Sequence, residues 1–314
     1  MTKDPIYLLD ASIYIFQSHF SPYVECTDDA GNELSAVYGF TEFLLQFLRR
    51  VNPIHIAIGL DASLLSGFRH QLCPNYKSNR ELPDENLAMQ LAACNEVCAV
   101  LGLSAFASRV YEADDIIGTL ATRLRRQSES QKPVIILSKD KDLAQLLEND
   151  SDCLWDYSGN RKRYRSNIYK EYGVYPEQIP DYLGLAGDSV DCISGVPGVG
   201  PVKAKELLAH FGTLEEVYQN LDKVAALPLR GAGKLGVLLE KHKSHAELSK
   251  QLATIVKTVS ESAEPFSESD LGSIGRKEIE TVAFAEFLEH YHFPFSISQR
   301  FVSLVNRLPA EDRA

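Results

Sequence analysis

Three carboxylates crowd the start of a predicted helix. Glu112, Asp114 and Asp115 lie within four residues, and apolar residues follow at helical spacing over 116–124. Acidic side chains at a helix N-terminus complement the helix dipole, which accounts for one or two of them. Three packed together repel one another unless a cation lies among them. The cluster therefore predicts a cation site.

More acids occur where predicted strands end. Two apolar runs end at Asp10 and Asp61, and a third is followed directly by Asp140 and Asp142. Such runs are typical of strands buried on both faces of a parallel sheet, and ligands bind outside the carboxyl ends of these strands. One acid at a strand end is explained by turn formation or helix capping. Three strands that end in this way favour a shared site instead.

Apolar periodicity predicts the elements that position these acids. Strands are expected over 6–10, 55–61, 103–107, 133–138 and 153–157, and helices over 36–50, 84–101 and 113–126. This alternation predicts an α/β fold with a doubly wound, mainly parallel sheet flanked by helices. From about residue 166 the pattern is helical. We expect an α/β core over 1–185, a helical region over 186–256, and a linker over 257–314 whose closing helix (282–293) packs back on the core.

The acids also indicate which cation they would bind. Asp188 and Asp191 are three residues apart and share one face of a helical turn, which brings the candidate ligands to nine. Oxygen ligands without nearby His or Cys select Mg²⁺ or Mn²⁺ over Zn²⁺. Because Mg²⁺ takes one or two carboxylates besides water and phosphate, nine acids predict two or more ions. Two such ions about 4 Å apart can promote hydrolysis of a phosphodiester.

Other phosphoryl chemistry fits the sequence less well. The chain has no Gly-x-x-x-x-Gly-Lys-Ser/Thr loop, which argues against an NTPase. A phosphatase with an aspartyl nucleophile would need a second acid two residues after Asp10, where Ser12 stands. Metal-assisted hydrolysis is therefore the chemistry that the acids favour.

Two segments have compositions that suit nucleic acid. Gly195, Gly198 and Gly200 precede a predicted helix whose free N–H groups suit a phosphate. A plain helical hairpin would explain the glycines, but Lys203 and Lys205, which follow, favour a phosphate. Residues 67–80 mix aromatic and basic side chains, which suits single-stranded nucleic acid. A solvated loop with a docked tyrosine explains that composition equally well.

The overall charge narrows the class of partner. A net charge of −11 argues against a protein that simply coats nucleic acid, but with nine acids set aside as ligands, −11 + 9 leaves only −2. Basic residues cluster at 123–126, 161–165, 203–205 and 241–243. The six cysteines form no Cys-x-x-Cys pair and are expected to be reduced thiols. Without a signal-peptide pattern or an apolar run of about 18 residues, we expect a cytoplasmic protein that does not bind membranes.

Taken together, these motifs resemble the bacterial 5′-3′ exonuclease and flap endonuclease family, best known as the N-terminal domain of DNA polymerase I. The resemblance runs nearly from end to end and is carried by residues 8–10, 36–40, 68–69, 76–80, 112–120, 140–146 and 187–200. It implies Mg²⁺-dependent hydrolysis of DNA at a 5′ flap, a nick or a single-stranded 5′ end, with Mn²⁺ able to replace Mg²⁺. It further implies a monomer, with RNA-primer ends as additional substrates.

The resemblance assigns the acids to two metal sites. The positions that match the first site are Asp10, Asp61, Glu112, Asp114 and Asp115. Asp140 and Asp142 would lie between the sites, and Asp188 and Asp191 match the second site.

The resemblance also implies DNA contacts. Residues 64–85 would form an arch in which Lys77 and Arg80 contact the scissile phosphate or the incoming strand. Arg69 and Tyr76 are further candidates for DNA binding in this segment. The glycine loop would belong to a helix–three-turn–helix element that holds duplex DNA together with a K⁺ ion, through Gly198, Gly200, Lys203 and Lys205.

Some positions depart from the family pattern. Cys192, Ser194 and Val202 stand where the family usually has Asn, Pro and Lys, which implies weaker duplex binding. Two alternatives remain open: a catalytically idle paralogue that binds DNA junctions, against which the nine retained acids weigh, and an RNA-directed nuclease of related architecture. The sequence leaves open whether flap cutting or 5′-end trimming dominates, and whether the chain is a stand-alone nuclease or part of a longer protein.

Overall fold

A single sheet organises the molecule, whose computed structural model describes residues 4–127, 132–259 and 264–309. Its strands, in chain order, are β1 (Ile6–Asp10), β2 (His55–Asp61), β3 (Ser104–Ser108), β4 (Val134–Leu137), β5 (Cys153–Asp156) and β6 (Arg161–Arg163). They lie in the order β3-β2-β1-β4-β5-β6, and all are parallel except β6, which is antiparallel to β5. Because the strand order reverses between β1 and β4, a crevice opens at their carboxyl ends.

The described residues contain thirteen α-helices. Some lie between the strands in the chain, and the rest come after the last strand. In chain order they are α1 (Ala11–His19), α2 (Ser35–Val51), α3 (Phe68–Leu72), α4 (Glu85–Val100), α5 (Ala113–Gln127), α6 (Arg165–Tyr172), α7 (Ile179–Ala186), α8 (Pro201–Phe211), α9 (Leu214–Gln219), α10 (Ala232–Lys241), α11 (Lys243–Ala253), α12 (Thr281–His290) and α13 (Phe295–Val305). Short 3₁₀ helices occupy Leu64–Ser66, Asp142–Leu146, Pro176–Gln178, Val224–Ala226 and Pro265–Ser267.

Both faces of the sheet are covered, which explains why its strands are continuously apolar. Leu8 and Ile136 belong to a core shared with α5 and with α6 to α11, whereas Leu9 and Ile58 belong to a core shared with α1, α2, α4, α12 and α13. Alternate side chains of one strand point to opposite faces, so each face needs its own apolar layer. The predicted doubly wound, mainly parallel α/β fold is confirmed.

The structure differs from the sequence expectations at three elements. Helix α1 follows Asp10 without a loop, and β6 is an edge strand too polar for an apolar pattern to reveal. The closing helix predicted over 282–293 is α12, which ends at His290, and the structure adds a further helix, α13, which begins directly after Pro294. Both pack through Phe284, Phe287 and Phe301 on the core. Residues 260–263 of the expected linker lie outside the described residues.

In the described part of the chain, none of the helices combines the length and the apolar character that a bilayer crossing requires.

A close backbone approach at Gly118 gives a first test of the packing. A Cβ atom there would lie 2.6 Å from Ile255 Cγ2 and 2.8 Å from the Val256 carbonyl oxygen. We expect Gly118→Ala to lower the free energy of unfolding by about 1–3 kcal/mol through overpacking, measured by urea denaturation. Gly233→Ala is the control, because no atom of the described residues lies within 4 Å of its Cβ position. A Gly118→Ala chain as stable as the control would contradict the close approach.

Candidate active site

The first acids meet where β1 and β2 end beside the start of α5. Asp10 and Asp61 are the last residues of their strands, which are neighbours in the sheet. Asp61 accepts hydrogen bonds from the Ala113 N–H (2.7 Å) and the Ser12 hydroxyl (2.7 Å), so the end of β2 is tied to the start of α5. Asp10 accepts a hydrogen bond from the Ser138 hydroxyl just after β4 (2.8 Å). The sheet and α5 thus bring these carboxylates to one edge.

The electrostatics show that several acids lie within range of one another. Burial, followed by the charge of Asp61, raises the pKa of Asp10 to about 7. Burial, followed by the charges of Asp140 and Asp10, raises the pKa of Asp114 well above its usual value. Burial, followed by the charge of Asp140, raises the pKa of Asp142 to about 7. These raised pKa values reflect burial first and the negative charge of neighbouring carboxylates second, and both disfavour the charged form of these acids.

One carboxylate oxygen at this edge is a buried, unsatisfied hydrogen-bond acceptor. Among the described residues, Asp142 Oδ1 is buried and has no hydrogen-bond partner, although Lys141 Nζ lies 3.6 Å away. A buried charged oxygen without a donor is costly, whereas an ion ligand would satisfy it. The oxygen-only donor set around it therefore fits a hard divalent cation such as Mg²⁺.

Basic side chains hold the other acids of the site. Lys77 Nζ lies 3.0 Å from Glu112 Oε1 and 3.8 Å from Asp191 Oδ2. Arg80 Nη2 lies 2.9 Å from Asp191 Oδ1, and Lys141 Nζ lies 2.6 Å from Asp188 Oδ2. In this arrangement no group of three or more Asp, Glu, His or Cys side chains within residues 4–127, 132–259 and 264–309 is placed to hold an ion. The candidate ligands converge, with cationic side chains between them.

The arch segment lies against the acids more deeply than the sequence suggests. The Tyr76 hydroxyl donates to Glu112 Oε2 (3.0 Å), and Tyr76 is only 3% exposed. Arg69 is also only 3% exposed. The expectation that Arg69 and Tyr76 contact DNA therefore needs correction, because both side chains are buried in the protein. Half of the Arg80 side chain is exposed, so Arg80 can reach a ligand in solvent.

Asp115 also differs from its expected role as a metal ligand. Its two carboxylate oxygens accept paired hydrogen bonds from Arg69 at 2.6 and 2.7 Å. They also accept the N–H groups of Glu112 (3.1 Å) and Val256 (2.9 Å), and the residue is fully buried. The Arg69 guanidinium neutralises this carboxylate. Both of its oxygens are therefore already occupied by hydrogen-bond donors.

The glycine loop joins α7 to α8, and α8 begins at Pro201. Gly195 and Gly198 have φ values of +61° and +83°, which side chains other than glycine rarely adopt, whereas Gly200 has an ordinary φ of −94°. Gly198 and Gly200 are exposed, so N–H groups at the start of α8 are accessible.

The two lysines after the loop lie in different places. Lys203 Nζ donates to the Gly198 carbonyl oxygen (2.8 Å), which keeps its charge beside the loop. Lys205 instead packs by Gly173, and its Nζ lies 5.9 Å from the centre of the Tyr182 ring.

Sequence reasoning missed the partners that fix these acids. Ser138 and the backbone N–H of Ala113 contact acids at the ends of β1 and β2, and Lys141 contacts Asp188 in the loop after α7. The serine and lysine lie beside predicted ligands in the sequence, and that adjacency is the only signal that could have pointed to them.

Comparisons with known proteins agree with this architecture. The family model for the 5′-3′ exonuclease N-terminal, resolvase-like domain matches residues 5–174, and the model for the 5′-3′ exonuclease C-terminal SAM fold matches residues 174–271. A 5′-3′ exonuclease of Buchnera aphidicola (subsp. Schizaphis graminum) is 34% identical over 81% of this chain and 86% of its own length. DNA polymerase I of Pseudomonas aeruginosa is 38% identical over 81% of this chain, which spans only 27% of that protein.

Solved structures show the same fold at low sequence identity. T5 5′-exonuclease with bound zinc is 16% identical, with a TM-score of 0.62 over 97% of this chain and 99% of that chain. The catalytic core of Rad2 in complex with a DNA substrate is also 16% identical, with a TM-score of 0.58 over 99% of this chain and 93% of that chain.

The raised pKa of Asp142 predicts how stability depends on pH in the metal-free chain. Because the folded-state pKa is about 7 against a usual 3.8, folding takes up a proton between these values, and the free energy of unfolding falls as the pH rises through this window. The Asp142→Asn substitution removes the ionisable group, and with it this fall in the free energy of unfolding. In EDTA, the variant should be more stable than wild type by about 1–3 kcal/mol at pH 8, with a smaller difference at pH 5.

Urea denaturation of both chains across this pH range measures the difference. Asp222→Asn is the control, because Asp222 is exposed and far along the chain from the acids. An Asp142→Asn chain that loses stability relative to wild type as the pH rises would contradict the shift.

Proposed function

Because the chain belongs to the 5′-3′ exonuclease family, we propose that it is a structure-specific 5′ nuclease that hydrolyses DNA phosphodiesters at 5′ flaps, nicks or free 5′ ends. The observation that carries this proposal is the convergence of acids from β1, β2, α5 and the segment after β4, beside an exposed glycine loop. Support comes from structural neighbours: T5 5′-exonuclease has been solved with bound zinc, and a variant of T5 D15 flap endonuclease in a complex with DNA and metal ions. Polymerase activity is not proposed, since the chain spans about a quarter of its polymerase relatives.

Two or more Mg²⁺ ions, replaceable by Mn²⁺, are the proposed cofactors. The residues proposed to hold them are Asp10, Asp61, Glu112, Asp114, Asp140, Asp142, Asp188 and Asp191. Bound there, such ions would supply Lewis-acid stabilisation and an activated water. The chain's own contribution is orientation: hydrogen bonds from Ser12, Ser138 and the Ala113 N–H hold the carboxylates at the ends of their strands.

Lys77 and Arg80 are proposed to receive the scissile phosphate. Both carry positive charge at the acids: Arg80, which is half exposed, contacts Asp191, and Lys77, which is only 7% exposed, contacts Glu112 and would have to leave it to reach a phosphate. A phosphate that enters beside them would meet a guanidinium suited to two-point contact and an ammonium already close to the metal ligands. Charge on these side chains would then offset the charge that develops on the phosphate.

The glycine loop and the start of α8 are proposed to hold the duplex. Free N–H groups at a helix N-terminus favour a phosphate, and Lys203 adds charge there. A K⁺ ion among the loop carbonyl groups belongs to this proposal. So do action on RNA-primer ends, a monomeric state and a cytoplasmic location.

A 5′-labelled flap substrate tests the function directly. We expect wild type to cut near the junction in Mg²⁺ and not in EDTA, and Asp188→Asn/Asp191→Asn to cut at least about 100-fold more slowly, because two proposed ligands are lost. Asp222→Asn, an exposed acid, should cut like wild type. Tight binding without any cutting by wild type would instead favour an idle DNA-binding protein. Cutting an RNA flap in preference to DNA would favour an RNA-directed nuclease.

The salt dependence of DNA binding tests the proposed contact between the glycine loop and the duplex. Binding should weaken as salt rises, because phosphate contacts release counterions, and Lys203→Ala should reduce the slope of log K against log salt by about 1. Lys277→Ala is the matched control, because the Lys277 residue is exposed and its backbone N–H donates to the Gly102 carbonyl oxygen, just before the start of β3. An unchanged slope in Lys203→Ala would contradict a phosphate contact at Lys203.

A further inference from the structure

Residues 252–257, here called the crossing segment, run from the end of α11 across the elements that carry the acids. The Val256 N–H donates to Asp115 Oδ1 (2.9 Å). The Gln145 side chain donates to the Ala253 carbonyl oxygen (3.1 Å) and accepts from the Ile255 N–H (3.0 Å). Gln145 belongs to the 3₁₀ helix that begins at Asp142. The crossing segment is therefore bonded to α5 and to the turn that carries Asp142.

Arg69 completes this junction from the arch side. Its Nε donates to the Leu252 carbonyl oxygen (2.8 Å), and its Nη2 donates to the Thr254 carbonyl oxygen (2.8 Å). The same guanidinium makes the two hydrogen bonds to Asp115 described above. One buried side chain thus joins the arch, the start of α5 and the crossing segment, which leads back to the helices that follow the glycine loop.

The geometry around Asp115 leaves no room for an ion. A carboxylate offers about four acceptor positions, and here Arg69 fills two while the N–H groups of Glu112 and Val256 fill the others. Asp114, its neighbour, has no such set of donors among the described residues, and other acids surround it. Adjacent acids therefore have different surroundings.

The Arg69–Asp115 pair also acts on a proposed ligand. Asp115 accepts the backbone N–H of Glu112, and Arg69 Nη1 lies 3.4 Å from Glu112 Oε2. The pair therefore fixes both the backbone and the carboxylate of Glu112, to which the Tyr76 hydroxyl (Oε2) and the Lys77 ammonium (Oε1) also donate.

We propose that Arg69 and Asp115 are positioning residues rather than a DNA contact and a metal ligand. Together they orient Glu112 and lock the crossing segment to α5, so that the region that grips DNA and the acids share one rigid junction. This inference rests on the proposed function, because it concerns how the same acids bind metal. It assigns Asp115 a role that its place among the acids of 112–115 does not suggest.

The fold supplies a matched control pair at the opposite end of the strands, where β4 and β5 begin. Arg125 Nη2 lies 2.8 Å from Asp152 Oδ2, and Asp152 is fully buried. Asp152 also accepts backbone N–H groups, including that of Val134 at the start of β4 (3.0 Å). Substitutions there disturb a buried arginine–aspartate pair of the same kind without touching the acids.

Mn²⁺ titration calorimetry on the full chain, without DNA, tests the proposal. The variants are Asp114→Asn, Asp115→Asn, Arg69→Lys, the double variant Arg69→Lys/Asp115→Asn, and the controls Arg125→Lys and Asp152→Asn, each with its Tm recorded. Asp114→Asn should lose a bound ion. Asp115→Asn and Arg69→Lys should keep the number of ions and raise the Mn²⁺ Kd by about 10- to 100-fold.

Non-additivity distinguishes positioning from ligation. If Asp115 acts through Arg69, the double variant should bind Mn²⁺ within about twofold of the weaker single variant. The controls should lower Tm comparably and leave the Mn²⁺ Kd within about twofold of wild type.

Three results would overturn the proposal. They are the loss of an ion in Asp115→Asn as in Asp114→Asn, fully additive losses in the double variant, and an equal rise in Kd in the control pair. A wild-type chain that binds no Mn²⁺ would overturn the proposed metal site as well, so the two failures are distinguishable.

Discussion

Carboxylates placed side by side repel one another, and the rest of this structure depends on how that repulsion is contained. The parallel strands β1 and β2 end in Asp10 and Asp61, and α5 begins with acids at the same edge. Raised pKa values at Asp10 and Asp142 record the unfavourable charge. A fold that retains such a cluster sacrifices stability in the metal-free state, which is the expected trade where an active site needs concentrated charge.

Cationic side chains limit this cost, and they come from two parts of the chain. Lys77 and Arg69 come from the arch, and Lys141 comes from the turn after β4. Lys77 and Lys141 contact acids that are proposed to bind metal, so a divalent ion and these lysines compete for the same oxygens. Arg69 differs, because each nitrogen of its guanidinium donates a hydrogen bond to Asp115 or to the crossing segment. The site therefore combines two lysines that a metal ion could displace, Lys77 and Lys141, with Arg69, whose hydrogen bonds hold it in place.

Local sequence patterns reveal the strands and the acids but not these pairings. Runs such as 6–10 and 55–61 are apolar because helices cover both faces of the sheet, and their terminal acids follow from the same pattern. The burial of Arg69 and Tyr76 depends on partners 46 and 36 residues away, and a basic or aromatic residue in a loop gives no sign of them. The edge strand β6 is equally invisible, because its residues are polar.

We propose that the acids at the carboxyl ends of β1, β2 and β4 converge in order to bind divalent metal. Anomalous diffraction from crystals grown in Mn²⁺ would test this proposal most directly. We expect two peaks about 4 Å apart in the crevice, with the lysine ammonium groups moved off the acids that they contact here. Crystals that contain Mn²⁺ but show no peak in the crevice, with Lys77 still on Glu112 and Lys141 still on Asp188, would contradict it.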